Sequence, residues 1–192
     1  MTTIYFIRHA HSTYTLDEYN RPLSENGRFE AEKLVKLFEE IEIHAMYASN
    51  YLRASETIQP IAQIKDLTIE QMEQLNERVL SATPVDDFEE AIQKVWNNPT
   101  FHFPGGESNI EAQNRVIPAI EELIVKHQDE TIIIGTHGNI FTLILNYYDA
   151  QYGLAYWNNL KMPDVIEVVF EGGQLISVNN YTDLSDFVYK LT

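Results

Sequence analysis

The sequence predicts an α/β fold, a three-layer α/β/α sandwich whose sheet is mostly parallel and carries an antiparallel hairpin at its edge. Three observations predict it: short apolar runs, amphipathic helical patterns between them, and a glycine turn that joins two β-rich runs. Apolar runs this short, alternating with helices, are typical of parallel strands buried on both faces. A length of 192 residues with 44% hydrophobic residues fits one domain, residues 1–192, with a substantial core.

The strands are predicted from the β-rich runs in chain order. Parallel strands are expected at Thr3–Ile7, Ala45–Ala48 and Thr131–Gly135. The runs Val165–Phe170 and Gln174–Val178 flank a Glu-Gly-Gly turn. A glycine-containing turn between two β-rich runs indicates a hairpin, which we place at an antiparallel edge of the sheet.

The helices are predicted from apolar residues that recur on one face. One helix is expected over Glu25–Glu40, and another from about residue 108 to residue 127, where Ser108 and Glu111 form the pattern of a capping box. A third helical pattern covers Asp86–Trp96. The looser stretch around it, residues 67–106, is predicted to be a lid or insert over one end of the sheet.

The charge balance limits the classes of partner. The chain has 29 acidic against 13 basic residues, a net charge of -16 and an isoelectric point near 4.6. Such a surface repels polyanions, so we expect neither nucleic acid nor a membrane as partner. The absence of cysteine excludes disulfides and thiol nucleophiles. No apolar run reaches the roughly 18 residues of a membrane span, and a cytoplasmic protein is expected.

Basic and imidazole side chains follow each of the three predicted parallel strands. Arg8 and His9 follow the first strand, Ser49 and Arg53 the second, and His137 the third. Each of them alone has an ordinary structural explanation. Because ligands of open α/β sheets bind beyond the carboxyl ends of the strands, the joint placement predicts a small cationic site in an otherwise acidic protein.

Such a site suits phosphoryl transfer. Guanidinium groups match phosphate oxygens in bidentate pairs and stabilise the charge of the transition state. A neutral imidazole is a competent nucleophile at pH 7, and a second imidazole can donate to the transferred oxygens. The leaving alkoxide needs a proton, so a carboxylic acid should stand nearby. Composition does not choose among the 29 acidic residues, of which Glu77 is one.

Six segments, in chain order, resemble the histidine phosphatases, the phosphoglycerate-mutase-like family. They are FIRHAHS, RPLSENGRFEAEKL, MYASNYLRASET, LNER, PGGES and IIIGTHGNI. The first is similar to the family's Arg-His-Gly-Glu signature and the last to its Ser-His-Gly motif. Each segment is weak by itself, but six in order on the expected elements make a specific match.

The resemblance implies a role for each matching residue. His9 would be the phosphorylated nucleophile, and Arg8, Arg53 and His137 would hold the phosphoryl oxygens. Glu77 would act as general acid and then as the base that activates water. No metal ion and no organic cofactor would be needed, because the arginines supply the positive charge.

Three positions depart from the family pattern. Ala10 stands where the family usually has glycine, His11 where it has an acid, and Thr15 where it has asparagine. Thr15 therefore alters or loses one phosphate contact. The resemblance also places Arg21 and Asn139 at the phosphate. None of these departures removes a histidine, arginine or acid of the implied mechanism, so an active enzyme is expected.

The expected activity is hydrolysis of a small phosphorylated metabolite, by a monomer or a homodimer. A phosphoglycerate mutase is the alternative, but mutases carry a basic, tyrosine-bearing insert that binds the substrate carboxylate. Here the stretch after Arg78 offers Lys94 as its only permanent cation, and Leu80 stands in place of that tyrosine.

Two further alternatives belong to other classes. One is a non-catalytic protein that binds a phosphorylated ligand in the same pocket. The other is a metal-dependent hydrolase, because His9 and His11 form a His-x-His pair after a strand. Such pairs usually accompany a (β/α)₈ barrel, which normally needs about 200 residues or more.

Overall fold

The structure, a computed structural model, describes residues 1–181. Its strands are β1 Thr2–Arg8, β2 Ala45–Ala48, β3 Ile69–Gln71, β4 Thr131–Thr136, β5 Asp164–Glu171 and β6 Gln174–Asn180. They form one sheet in the order β3-β2-β4-β1-β5-β6. The first four strands are parallel to one another, whereas β5 is antiparallel to β1 and β6 is antiparallel to β5. The predicted fold class, with its antiparallel edge, is confirmed.

Six α-helices of residues 1–181 cover the two faces and one end of this sheet. They are α1 Glu25–Phe38, α2 Leu52–Lys65, α3 Phe88–Asn97, α4 Asn109–Lys126, α5 Gly138–Tyr148 and α6 Leu154–Asn159. Helices α1 and α2 pack on one face of the sheet, and α4 and α5 pack on the other. None of the helices in residues 1–181 combines the length and apolar character needed to cross a membrane.

Strand β1 lies between the two helical layers. Ile4 and Phe6 belong to the core shared with α4 and α5, whereas Tyr5 and Ile7 belong to the core shared with α1 and α2. All four are buried because successive side chains of a strand point to opposite faces. This two-sided burial explains why the strand reads as a continuous apolar run.

The turns and caps follow local sequence. The Ser108 side chain accepts from the Glu111 amide and the Glu111 side chain accepts from the Ser108 amide, so the predicted capping box is present. The β5–β6 hairpin closes through Gly172 and Gly173, with φ of 57° and 80°. Positive φ at both central residues is the requirement of a type I′ turn, which glycine meets without strain.

The stretch from residue 67 to residue 106 contributes to the sheet as well as to its covering. It begins with β3, which extends the sheet beside β2, and continues through a 3₁₀ turn to α3. The Trp96 indole packs against the core and donates to Asn139 Oδ1 at 3.2 Å, which joins α3 to α5. Phe88, at the other end of α3, is 58% exposed.

Candidate active site

The strand register brings the two histidines of the predicted site together. Arg8 is the register partner of Thr136 in the β1–β4 pair, and the His9 amide donates to the Thr136 carbonyl at 3.0 Å. His9 and His137 therefore leave the sheet side by side, with ring centroids 5.2 Å apart. Both are buried.

The hydrogen bonds of His9 fix its tautomer. Its Nδ1 lies 2.8 Å from the Ala10 carbonyl oxygen, an acceptor, so Nδ1 carries the proton. Its Nε2 accepts a hydrogen bond from Arg53 Nε at 3.3 Å, so this nitrogen is unprotonated and carries a lone pair. Burial, helped by the charges of Arg53, Arg8 and Arg21 and opposed by the hydrogen bond to Ala10, lowers the pKa of His9 to about 3. The imidazole is therefore neutral at pH 7, as a nucleophile must be.

His137 is oriented through the hydroxyl of Ser49. Its Nε2 lies 2.7 Å from Ser49 Oγ, and that oxygen also accepts from the Tyr51 amide at 3.3 Å. When the Ser49 hydroxyl donates to Nε2, the imidazole proton lies on Nδ1. That Nδ1 is buried and has no partner within residues 1–181. Burial, followed by His9, Arg53 and Arg8, lowers the pKa of His137.

Arg53 is a buried cation in the first turn of α2. Its guanidinium lies over the Tyr51 ring, with Cζ 4.7 Å from the ring centroid. Its Nη1 donates to the Glu18 carbonyl at 2.9 Å and lies 3.3 Å from a Glu18 carboxylate oxygen. Arg21 lies 2.6 Å from the other Glu18 oxygen. A single carboxylate therefore pairs with two arginines that the sequence assigns to phosphate.

Arg8 is held at the end of β1 by backbone carbonyls. Its Nη1 donates to Leu160 at 2.9 Å and to Lys161 at 3.3 Å, whereas its Nε is buried without a partner in the described chain. A Cβ on Gly138 would lie 3.0 Å from Arg8 Nε, so glycine lets the guanidinium lie against the start of α5. Asp164, the register partner of Arg8 in β5, is also buried.

Glu77 lies at the N-terminus of α5, directly beyond His137. Its carboxylate accepts from the amides of Asn139 at 3.0 Å and Ile140 at 2.8 Å, and from the amide of Arg78 at 2.8 Å. A negative group at this position satisfies amides that the helix itself leaves unpaired. The contact spans 62 residues of sequence and brings Glu77 to the edge of the sheet that holds both histidines.

The other predicted site residues, Arg21, Thr15 and Asn139, differ in how they contact the histidines and Glu77. Arg21 lies near enough to lower the pKa of His9, and its Nη2 donates to the Thr15 carbonyl. The Thr15 hydroxyl donates to the Asp17 carbonyl instead of facing the histidines. Asn139 uses its amide for Glu77, and its Nδ2 is buried without a partner in residues 1–181.

The two departures beside His9 have simple structural consequences. Asp66 and Asp129 are the residues other than glycine with positive φ in the described chain, so Ala10 has a backbone open to any residue. Its methyl group packs with Leu23 and Ala31. The His11 imidazole lies 2.9 Å from Ser24 Oγ, at the N-cap of α1. No group of three or more potential metal ligands occurs among residues 1–181.

Sequence reasoning missed several residues of the site. Glu18 and Trp157 carry no motif, and only their contacts with the arginines and with Gly138 reveal them. Ser49 follows a predicted strand, but the sequence alone gives it no role. Arg78 follows Glu77 in LNER and is buried, with Nε and Nη1 unpaired within the described residues. Its adjacency to Glu77 was the one sequence signal that pointed to it.

Known proteins similar to this chain include two that are named as phosphatases. The model of the histidine phosphatase superfamily (branch 1) matches residues 4–179. The 8-oxo-(d)GTP phosphatase of Mycolicibacterium smegmatis is 33% identical over 126 residues, which are 62% of this chain and 36% of that longer protein. The phosphoserine phosphatase 1 of Hydrogenobacter thermophilus is 25% identical over 150 residues, 71% of each chain.

The fold also matches solved structures. The structure of Bacillus stearothermophilus YhfR superposes with a TM-score of 0.78 at 26% identity, over 97% of this chain and 100% of that one. Agreement over almost the whole of both chains shows that the sheet order and the helical layers described above are those of this family.

Proposed function

The chain belongs to the histidine phosphatase superfamily, branch 1, and we propose that it hydrolyses phosphomonoesters of small metabolites through a phosphohistidine on His9. One observation carries the proposal. A buried, neutral imidazole with its lone pair on Nε2 lies beside a second imidazole and a guanidinium that donates to that same nitrogen. Relatives named as phosphatases support the reaction class.

The first chemical step transfers the phosphoryl group to the protein. His9 Nε2 attacks phosphorus, and the bond between phosphorus and the alcohol oxygen breaks. The alkoxide takes a proton from the carboxyl group of Glu77, so the alcohol leaves neutral. Arg53 and Arg8 pair with the phosphoryl oxygens, and the unpaired Nδ1–H of His137 donates to a third. These donors stabilise the charge that grows in the transition state.

The second step returns the protein to its starting state. Glu77, now a carboxylate, accepts a proton from water, whose oxygen attacks the phosphohistidine. The bond between nitrogen and phosphorus breaks, inorganic phosphate forms, and Nε2 regains its lone pair. No cofactor enters this sequence, because the arginines and His137 supply the positive charge and the donors.

Transfer to water is favoured over transfer to a second sugar acid. Residues 79–103, which follow Arg78, have Lys94 as their only permanent cation. The Lys94 ammonium lies over the rings of Phe101 and Phe103. It therefore interacts with aromatic rings instead of a substrate carboxylate.

We also propose that α3 and the loop after it act as a lid on this edge of the sheet, and that the protein works in the cytoplasm.

The test is turnover of p-nitrophenyl phosphate by the wild type and by His9→Ala. We expect the variant to lose hydrolysis and keep its fold, and we expect the wild type to form an acid-labile adduct of one phosphoryl group, detected by mass spectrometry after rapid quenching. His44→Ala is the matched control, because His44 is exposed and bonds the backbone at the opposite end of β4. Turnover that survives in His9→Ala would refute the proposal, and phosphate binding without turnover would favour a binding protein.

A further inference from the structure

A cavity of about 470 Å³ opens beside Arg8, between helices α3 and α6. Helix α3 contributes Glu89, Ile92 and Gln93 to its wall, and α6 contributes Trp157 and Asn158. None of the other residues that we assign to phosphoryl transfer lines it. A volume of this size is typical of a site for a small organic molecule.

The cavity shares the wall residue Arg8 with the proposed phosphoryl site. Arg8 and Trp157 both line the cavity, and both pack against Gly138, the residue after His137. A Cβ on Gly138 would lie 2.6 Å from Trp157 Nε1 and 3.0 Å from Arg8 Cζ. A phosphoryl group bound by Arg8 would therefore have its ester oxygen near the mouth of the cavity, with room for the alcohol beyond it.

Within residues 1–181, the cavity wall has one cationic and one anionic side chain, and only the anionic one is available to the alcohol part of a substrate. Arg8 is its one cation among the described residues, and the phosphoryl group uses it. Glu89 is the one carboxylate in the wall, and its side chain makes no hydrogen bond or ion pair within residues 1–181. The amides of Gln93 and Asn158 are equally uncommitted in that part of the chain. The wall thus offers acceptors and a negative charge to whatever fills it.

Arg78 does not change this balance. It does not line the cavity, and its Nε and Nη1 are buried beside Glu77 and Glu107. A second anionic group in the cavity would therefore meet the Glu89 carboxylate with no further cation in the wall to pair with. A cationic group would meet that same carboxylate and the Trp157 indole, both of which can attract it.

We propose that this cavity binds the alcohol part of the substrate and selects phosphomonoesters of amino alcohols, whose ammonium group pairs with Glu89. The proposal rests on the phosphatase function proposed above. The phosphoryl group would occupy the site of His9 and Arg8, the carbon chain would lie against Ile92 and Trp157, and the ammonium group would reach Glu89. Glu89 would be a specificity-determining residue that takes no part in the chemistry.

Three substrates with the same two-carbon skeleton test the charge preference. They are O-phosphoethanolamine, ethyl phosphate and phosphoglycolate, which end in a cationic, a neutral and an anionic group. We expect kcat/KM to fall in that order, by about three- to tenfold at each step, as partly exposed charge pairs imply. Equal values, or a higher value for phosphoglycolate than for O-phosphoethanolamine, would overturn the proposal.

Variants of one residue assign the preference to Glu89. Glu89→Gln should bring O-phosphoethanolamine to the level of ethyl phosphate, and Glu89→Lys should make phosphoglycolate the better substrate. Glu90→Gln is the matched control, because Glu90 is exposed on the same helix and does not line the cavity. An unchanged order in Glu89→Lys would contradict the proposed contact.

Turnover of p-nitrophenyl phosphate separates this proposal from the function on which it rests. That substrate carries no ammonium group, so it reports the phosphatase reaction without the charge preference, and Glu90→Gln should hydrolyse it at the wild-type rate. If the wild type does not hydrolyse it, the phosphatase function fails. If the wild type hydrolyses it and the charge order is absent, only the selection of amino alcohols fails.

Discussion

Buried histidines lie at both ends of the central sheet, His127 at one end and His9 with His137 at the other. They differ in whether their ring nitrogens all have hydrogen-bond partners. At the amino end of the parallel strands, His127 uses both ring nitrogens, one with Tyr47 Oη at 2.8 Å and one with Glu130 at 2.6 Å. At the carboxyl end, His137 keeps a buried Nδ1 without a partner in residues 1–181, and the lone pair of His9 meets only a long bond from an arginine.

The surrounding charges differ in the same way. His127 faces a carboxylate, and its hydrogen bond lowers the pKa of Glu130. His9 and His137 face guanidinium groups, and burial together with those charges lowers the pKa of both imidazoles. The His127 imidazole, with both nitrogens hydrogen-bonded, stabilises the fold. The imidazoles of His9 and His137 lie among cations and each has a nitrogen available for a further contact, so they are suited to bind an anionic ligand.

After His9, Glu77 should give the largest effect at the carboxyl end. Its replacement by glutamine removes the proton donor but keeps an acceptor for the amides of α5, so the fold should survive. We expect hydrolysis of an alkyl phosphate to fall by about 10²- to 10⁴-fold, as general acid catalysis implies. Hydrolysis of p-nitrophenyl phosphate should fall far less, because its leaving group needs little protonation. Equal losses on both substrates would show that Glu77 is not the acid.

Matched alanine variants of the two histidine groups test the comparison directly. His137→Ala should lower kcat by about 10²- to 10³-fold, the effect of removing one donor to transition-state charge. His127→Ala should leave kcat unchanged and reduce the free energy of unfolding by about 1–3 kcal/mol, because it leaves buried polar partners unsatisfied. Steady-state kinetics and urea unfolding measure the two quantities. A kcat defect in His127→Ala would break the distinction between the ends.

Ser49 should give a smaller effect, because it acts through His137. Ser49→Ala removes the hydroxyl that directs the imidazole proton to Nδ1, and we expect kcat to fall about tenfold with KM little changed. Ser49→Thr keeps the hydroxyl and should restore most of the activity. Ring nitrogen NMR shifts of His137 should show a mixture of tautomers in the alanine variant and one tautomer in the wild type. One tautomer in both proteins would show that Ser49 only packs there.

Asp164 should affect the stability of the fold, and this effect should depend on pH. Burial raises the pKa of this carboxyl from 3.8 to about 6 in the folded protein. Between those values the folded state binds a proton that the unfolded state lacks, so this group adds stability as the pH falls through 6. Above pH 6 the folded protein carries a buried charge beside Arg8.

The variant Asp164→Asn should therefore be more stable than the wild type at pH 8, by at most about 3 kcal/mol. The amide keeps an acceptor for the Lys161 amide, which the carboxylate now binds at 2.9 Å. The advantage should shrink as the pH falls towards 4.5, and thermal unfolding across that range measures it. A difference that does not change with pH would mean that Asp164 is not charged in the folded protein at pH 8.

The predicted strands and the four basic and imidazole positions that follow them depended on local sequence. Strand β2 has the predicted bounds, and β1 and β4 differ from prediction by one or two residues. Parallel pairing then brings the residues after β1 and β4 to one edge, whatever the rest of the chain does. The edge strand β3 was not predicted, because three residues with two exposed side chains carry no apolar pattern.

The sequence alone could not predict the cavity or the residues that contact the arginines. Glu18 and Trp157 carry no motif, and Glu89 is one of four acids in a short stretch. Each becomes informative only through a contact: Glu18 with Arg53, Trp157 with Gly138, and Glu89 with the cavity between two helices.

The sequence by itself determined the fold class and the nitrogen-rich edge of the sheet, because period-two burial and strand ends are local properties that a residue pattern records. The local pattern did not choose the carboxylate, which only the family resemblance implied, and only the tertiary structure decided what surrounds the space beyond Arg8. Glu77 reaches α5 across 62 residues, and α3 meets the cavity wall opposite α6. Contacts of that range depend on how helices pack on the finished sheet, and the local pattern of residues does not encode them.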